Sequence, residues 1–175
     1  IMRAVIEART AGVKVIGLIG GRSGCYGGGG LIAGCCSALA VSEQGRIGVS
    51  GPEVIETNRG VEEFDSKDRA LVWRTMGGKN RRLLGGADAF CDDAVQDFRE
   101  TALDLIATAG GFGIDSLKAE QARLEERLQT FGTCADAVDI WKAEGVPDPD
   151  DVPAMDADAF IAVANKIRRP SRDSR

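Results

Sequence analysis

IGGRSGCYGGGGLIAGCCS, residues 19–37, is the stretch that decides the fold. It follows a short β-branched run, VKVIGLI at 13–19, and it continues into small and apolar residues from Gly28 onward. A buried strand, a glycine loop and a helix in that order predict a mixed α/β unit. Glycine lets another molecule approach the backbone closely, and free backbone N–H groups in such a loop can hold an anion or stabilise an oxyanion.

Several kinds of site use a glycine loop before a helix. A phosphate-binding P-loop is excluded because no lysine follows these glycines. A dinucleotide fingerprint can be placed on Gly28, Gly30 and Ala33, but the residues directly before it do not read as a strand. An oxyanion hole for a thioester remains open, and so does a purely structural use in which the glycines only allow close helix–sheet packing.

Composition excludes further classes. The 175 residues include 22 basic and 27 acidic side chains, a net charge of −5, so the chain is a poor candidate for nucleic-acid binding. No apolar run is long enough to span a membrane. The absence of histidine removes every imidazole mechanism from this chain. Five cysteines without a CxxC motif are typical of buried thiols in a reducing cytoplasm, and we therefore expect a cytoplasmic protein.

Hydrophobic periodicity, capping residues and glycine boundaries predict the secondary structure. Asp65 or Ser66 is expected to cap the helix at 65–76, and 77–86 is expected to be a basic loop. The predicted strands are 13–19, 38–41 and 46–49. The predicted helices are 2–10, 28–37, 65–76, 92–107, 134–144 and 156–167, and 52–58 could form a helical turn. A leucine stripe (Leu117, Leu124, Leu128, Phe131) lies on a further charged helix.

The character of the chain changes near residue 112. Residues 1–112 read as one α/β domain and 113–175 as a helical extension, with a proline-acidic linker at 146–153 and a basic tail at 168–175. The chain begins at Ile1 in what reads as the middle of an amphipathic helix. We therefore expect it to start inside a domain, as a fragment or a processed product would.

Three strings resemble one family closely. GCYGGGGLIAGCCS at 24–37, GRIGVSGPEVIE at 45–56 and GVEEFDSKDRALVWRTMGG at 60–78 are similar to the β subunit of biotin-independent malonate decarboxylase. That subunit is related to the carboxyltransferase subunits of acetyl-CoA carboxylase, within the crotonase superfamily. The resemblance covers roughly residues 2–107 and implies a crotonase-like spiral of ββα units that lacks its N-terminal part.

The resemblance also implies a site. Gly28 falls where the superfamily places one oxyanion N–H, with Gly27 and Gly29 shaping the loop. Cys25, Tyr26 and Gly27 would line the substrate. The second oxyanion donor would come from an earlier loop, which we expect this chain to lack. We name Gly28, Gly29 and Glu53 as catalytic candidates and list the substrate-binding candidates as Cys25, Tyr26, Gly27 and Arg59.

Two positions discriminate between reactions. Leu31 stands where the superfamily's hydratases carry a catalytic glutamate, which argues against a two-carboxylate hydratase. Glu53 of the Pro-Glu turn could donate a proton or orient a water molecule, or it could simply serve the start of a helix. Cys25 has a weaker claim as a nucleophile, because Arg22 alone is near in sequence to lower its pKa.

The family context implies partners. Malonyl would be carried on an acyl carrier protein through a CoA-like phosphopantetheine group, a γ subunit would complete the site, and an acyl-carrier transferase subunit would load the carrier. No metal, biotin or redox cofactor is expected in this chain. Arg59, Lys79, Arg81 and Arg82 could contact phosphate or the carrier, or be ordinary surface cations. A carboxyltransferase subunit and a non-catalytic docking subunit remain alternatives.

Overall fold

A computed structural model of the chain describes residues 1–167. Three parallel strands form one sheet in the order β1-β2-β3, with Ile16 opposite Ala38 and Val41 opposite Phe90. The strands are β1 (Ile16–Ile19), β2 (Ala38–Ser42) and β3 (Ala89–Cys91). The helices are α1 (Met2–Thr10), α2 (Gly28–Gly34), α3 (Pro52–Arg59), α4 (Arg69–Met76), α5 (Gly78–Leu83), α6 (Val95–Thr108), α7 (Ile114–Phe131), α8 (Ala137–Ala143) and α9 (Ala157–Lys166), and a 3₁₀ helix spans Pro149–Ala154.

The central strand β2 is buried along its whole length, as parallel strands covered on both faces are. Its side chains alternate between two packed layers. Ala38 and Ala40 pack with Leu105 of α6 on one face. Leu39 and Val41 face the larger core on the other. The mixed α/β architecture predicted from the glycine-loop region is therefore confirmed.

The second half of the chain contributes much of the larger core. Trp141, Val152 and Phe160 are at most 1% exposed and belong to the same cluster as Leu39 and Val41. The Phe160 ring meets Phe90 of β3 edge to face, with ring centroids 4.6 Å apart. The residues from α8 to α9 are therefore packed against the sheet.

The segment 146–153, predicted as a linker, is held by this packing. Val146 and Val152 are both buried, and most of the segment from Pro149 onward is the 3₁₀ helix. Lys79 of α5 donates hydrogen bonds to the carbonyls of Pro153 (3.2 Å) and Met155 (2.6 Å). The prolines and aspartates thus shape a short ordered turn, because two valines and a buried lysine anchor it. The predicted basic tail at 168–175 lies outside the described residues.

Several local predictions are wrong. The segment 46–49 forms no strand; it makes single bridges, Cys25 to Ile47 and Arg46 to Gly77, because its backbone groups are shared between two different neighbours. Residues 78–83, predicted as a loop, form α5. Asp68, rather than Asp65 or Ser66, caps α4 by accepting the N–H of Leu71 at 3.0 Å. β3 was not predicted, since three residues are too few for a periodic pattern.

Three of the four stripe residues of α7 face outward, and the fourth, Phe131, is half-buried. Leu117, Leu124 and Leu128 are exposed, whereas Glu120, Arg123 and Arg127 lie on the more buried side of the helix. Arg127 forms an ion pair with Glu144 at 2.7 Å, which ties α7 to α8. No residue of α7 is buried, so polar contacts rather than the stripe hold the helix. Over residues 1–167, no helix is long and apolar enough to cross a bilayer.

Candidate functional site

The glycine loop is held in place by the segment that follows β2. The Cys25 N–H donates to Arg46 O (2.7 Å), the Gly48 N–H to Cys25 O (3.2 Å), and the Gly27 N–H to Val49 O (3.0 Å). Gly27 has φ +57° and ψ −126°, a conformation that residues with a Cβ rarely adopt. The loop therefore enters α2 along a defined path.

Gly30 marks the closest approach of the two segments. A Cβ at this position would lie 2.2 Å from the carbonyl oxygen of Gly48 and 3.2 Å from that of Cys25. Both neighbours are backbone atoms, which cannot turn away as a side chain can. The predicted structural use of glycine, which is to allow close packing, thus applies at Gly30. At Gly34, four residues later, an added Cβ would meet nothing within 4 Å.

Gly30→Ala and Gly34→Ala form a matched pair within α2. We expect Gly30→Ala to lower the free energy of unfolding by about 1–3 kcal/mol, since the backbone must move to admit the methyl group. Gly34→Ala should be neutral or raise it by up to about 1 kcal/mol, because alanine favours the helix. Urea denaturation of both variants measures the difference; equal stabilities would contradict this account of the packing.

Gly28 presents an unused backbone donor. It is the first residue of α2 and is exposed, and within residues 1–167 its N–H donates no hydrogen bond. The N–H of Gly29, the next catalytic candidate, already donates to Tyr26 O at 3.1 Å. The two candidates therefore differ. The N–H of Gly28 is free to bind a ligand, whereas the N–H of Gly29 is already used in a turn of the backbone.

Tyr26 and Glu53 both lie next to Gly51. The ideal Cβ position of Gly51 is 3.4 Å from Tyr26 Cδ2 and 3.6 Å from Glu53 Oε2. Glu53 is exposed in the first turn of α3. The structure thus brings one carboxylate candidate next to the loop.

The hydroxyl of Tyr26 is buried. Burial raises the pKa of Tyr26; the Arg46 guanidinium opposes that rise, and the Glu53 carboxylate adds to it. Arg46 also lies over the Trp73 ring, 4.8 Å from its centroid. Arg46 is a site neighbour that sequence reasoning missed, because the Cys25–Ile47 bridge brings it to the loop and no motif marks it.

The thiol of Cys25 is half-buried beside Gly29. Burial raises the pKa of Cys25, and no neighbouring cation lowers it. At neutral pH this thiol is therefore protonated and weakly nucleophilic. Cys25 therefore packs against the glycine loop, and the geometry does not support a role as a nucleophile.

Alkylation tests this. At neutral pH we expect iodoacetamide to label Cys25 several-fold more slowly than a cysteine in an unstructured peptide, with a rate that rises as pH increases. Site-resolved mass spectrometry measures the rate, and labelling in urea, where burial is lost, is the control. Faster labelling in the folded protein would instead indicate an activated thiol.

The basic candidates divide into two groups. Arg59 lies exposed at the end of α3 and makes no ion pair within the described part of the chain. Lys79 is only 7% exposed and pairs with Glu43 at 2.9 Å. Arg81 donates twice to Ile47 O, at 3.1 and 2.8 Å, and burial lowers its pKa. Arg82 is half-buried, and burial lowers its pKa. The surface-cation alternative is therefore wrong for Lys79 and Arg81, which brace the fold.

No protein-family model matches the sequence. A malonyl-S-ACP:biotin-protein carboxyltransferase of Malonomonas rubra is 36% identical over 163 residues, covering 89% of this chain and 51% of the relative. Across residues 1–167, no group of three or more histidine, cysteine, aspartate or glutamate side chains could hold a metal ion.

Two solved structures are also similar. The first is a Pseudomonas malonate decarboxylase hetero-tetramer in complex with malonate, with 32% identity, a TM-score of 0.69, and coverage of 78% of this chain and 49% of that one. The second is a Pseudomonas malonate decarboxylase hetero-dimer, with 28% identity, a TM-score of 0.55, and coverage of 71% and 50%. The chain thus spans about half the length of the relatives that it matches.

Proposed function

From its relation in sequence and fold to the malonate decarboxylase and malonyl carboxyltransferase proteins, we propose that the chain decarboxylates malonyl-S-acyl-carrier protein. The fold of the chain is the crotonase-like α/β fold that the resemblance implied. The product is acetyl-S-acyl-carrier protein. The observation that carries the proposal is the free, exposed N–H of Gly28 on a loop whose path is fixed by its neighbours.

The chemistry suits a chain without histidine. The bond between the malonyl α-carbon and its carboxylate breaks, CO2 leaves, and the electron pair passes into the thioester as an enolate. No general base is needed for this step. The difficult species is the enolate oxygen, and a preorganised N–H donor stabilises such an oxyanion by about 3–4 kcal/mol. Gly28 supplies one such donor.

The enolate carbon then takes one proton. Glu53 lies beside Tyr26 at the edge of the loop and is exposed, so it can deliver a proton directly or hold a water molecule that does. Leu31, at the position of the hydratase glutamate, is 46% exposed and supplies no acid. Cys25, Tyr26 and Gly27 would line the thioester, and Arg59 is available to an anionic group on the carrier.

The partners follow from the same proposal. The Gly28 site is open, so a γ subunit would cover it and supply what this chain does not. The carrier protein brings malonyl on a phosphopantetheine-type group, and an acyl-carrier transferase loads it. No cofactor of this chain itself is required, and the cytoplasm is the compartment in which such carriers and reduced thiols occur. The hetero-oligomeric relatives support a multi-subunit assembly.

A second candidate function has its own support. The Malonomonas rubra relative is a carboxyltransferase that acts on malonyl-S-ACP and a biotin protein. The same enolate would form, but the carboxyl group would pass to biotin instead of leaving as CO2. The two candidates therefore share the Gly28 site and differ only in the fate of one carbon. A docking subunit without catalysis is the third possibility.

That difference defines the experiment. The chain, purified with its γ partner, is incubated with carrier protein bearing malonyl labelled in the free carboxyl carbon, with and without a biotin carrier protein. Label released as CO2 without the biotin protein, together with acetyl carrier, supports decarboxylation. Label that appears only on the biotin protein supports the carboxyltransferase. Binding of the loaded carrier with neither product would leave the docking role.

A further inference from the structure

Helix α7 carries a regular row of outward-facing side chains. Ile114 and Gln121 extend the leucine stripe, and the positions then recur at alternating intervals of three and four residues. Ile114 and the three leucines are 48–72% exposed. This spacing is the heptad pattern of a helix that packs against a second helix. We call the set the heptad row; its members are Ile114, Leu117, Gln121, Leu124, Leu128 and Phe131.

Charged side chains flank the heptad row on both edges. Lys118 and Glu125 lie seven residues apart on one edge, and both are exposed. Neither forms an ion pair within residues 1–167, and Glu125 accepts a hydrogen bond from Gln121 at 2.8 Å. The other edge carries Glu120 and Arg127, again seven residues apart and of opposite charge. Each edge therefore presents one cation and one anion, two helical turns apart.

These charges favour one orientation of a second α7 helix. In an antiparallel pair, Lys118 of each copy lies opposite Glu125 of the other, and Glu120 lies opposite Arg127. Every flanking contact between the copies is then between opposite charges. In a parallel pair, Glu120 would face Glu125 of the other copy, and this repulsion would occur twice. The edges of α7 are thus complementary to themselves when two copies run in opposite directions.

The same antiparallel register brings the apolar side chains together in layers. Gln121 is the one polar member of the heptad row, and a polar residue at such a position lowers stability but fixes the register. An isolated helix of 18 residues is marginally stable in water, but the Arg127–Glu144 ion pair already holds α7 on the rest of the chain. The layers pair Ile114 with Phe131, Leu117 with Leu128, and Gln121 with Leu124.

We propose that the heptad row is the interface of a homodimer, in which α7 packs antiparallel against α7 of a second copy of this chain. A two-fold contact requires a surface that is complementary to itself, and the heptad row meets this requirement in both apolar pattern and charge. Because the contact is small, we expect a reversible dimer with a Kd on the order of 10–100 μM. The proposal does not rest on the proposed function, since no residue of α7 belongs to the glycine loop.

Analytical ultracentrifugation tests the dimer. The full chain is examined from low to high micromolar concentration, with a reductant present because its described cysteines are free thiols. The mass should rise from the 18.5 kDa of the monomer to twice that value. Leu124→Ala shortens a side chain twice per dimer and should weaken association by at least about tenfold. Since Leu124 is exposed, circular dichroism should show that this variant remains folded.

Charge variants test the orientation. In the antiparallel dimer, Glu125→Lys places two lysines opposite each other at both ends and should weaken association by about five- to tenfold. The double variant Lys118→Glu with Glu125→Lys restores opposite charges and should associate within about twofold of the parent. Glu126→Lys is the matched control, because it makes the same charge change at an exposed position away from the heptad row. It should leave association unchanged.

A zero-length carbodiimide cross-link gives a second readout. A mixture of isotope-labelled and unlabelled chains should yield a link from Lys118 to Glu125 of the other copy, identified by mass spectrometry. The proposal is overturned by a chain that stays monomeric throughout the concentration range, or by equal effects of Glu125→Lys and Glu126→Lys. Tighter association of Glu125→Lys would show parallel packing and also overturn it.

A γ subunit is the other occupant that the experiment can reveal. If the chain stays monomeric and Leu124→Ala loses binding to the γ subunit, the heptad row belongs to that contact and the homodimer is wrong. CO2 release from malonyl carrier protein is a separate measurement. Failure of the proposed function would therefore leave the dimer result unchanged, and the reverse also holds.

Discussion

Gly28→Pro is expected to reduce CO2 release from malonyl carrier protein by about 100- to 1,000-fold, the cost of removing one oxyanion-hole donor in other enzymes. Proline has no backbone N–H, so the substitution removes the group that the mechanism assigns to the enolate. The measurement is CO2 release by the chain with its γ partner, under single-turnover conditions, so that loss of the chemical step is separated from loss of carrier binding.

The structure makes this substitution a clean one. Gly28 is the first residue of α2, a position that tolerates proline, and its N–H makes no hydrogen bond within residues 1–167. No atom lies within 4 Å of its ideal Cβ position. Gly27, which precedes it, has no Cβ to clash with the proline ring. We therefore expect the variant to fold with close to parent stability, as urea denaturation will report.

Gly28→Ala is the matched control. It adds a methyl group into open space and keeps the N–H, so it should retain most of the activity that proline removes. Activity of Gly28→Pro within about threefold of the parent would show that this N–H is not an oxyanion donor. Equal losses in both variants would point to crowding of the thioester at this position, which also contradicts a role for the N–H alone.

Phe160→Ala should destabilise the chain by about 3–5 kcal/mol, the range for loss of a fully buried phenylalanine. Phe160 is 0% exposed and lies edge to face with Phe90 of β3. The centroid of its ring is 5.8 Å from Lys79 Nζ. The cavity left behind would open the contact between α9 and the sheet. Urea denaturation followed by far-ultraviolet circular dichroism measures the change in the free energy of unfolding.

Leu128→Ala provides the comparison within the C-terminal half. Leu128 is 72% exposed on the outer face of α7, so its loss should change stability by less than about 0.5 kcal/mol. The two variants together ask whether residues 113–167 are an independent extension or part of one core. A small effect of Phe160→Ala, with the sheet still folding in one transition, would favour the independent extension that composition predicts.

Local pattern was sufficient for most of the helices. α1, α3 and α6 occur close to their predicted bounds, because glycine or proline marks their ends and apolar residues recur at helical spacing. The strand–glycine–helix order also indicated a segment in which glycine is required, since Gly27 needs it for its conformation and Gly30 for the space around it.

Tertiary structure alone decided the rest, because those features depend on contacts between residues distant in sequence. The sequence alone suggests that Lys79 is a surface cation. In the structure Lys79 is buried, where it pairs with Glu43 and donates hydrogen bonds to the carbonyls of Pro153 and Met155. The proline-acidic segment reads as a linker until Val152 is seen in the core. Arg46 lies near Tyr26 because the isolated Cys25–Ile47 bridge brings their segments together, and no hydrophobic periodicity marks that bridge in the sequence. Sequence pattern alone indicated where the backbone needs glycine and which segments are helical. The packing of those segments determines which charges are buried and which N–H group stays free.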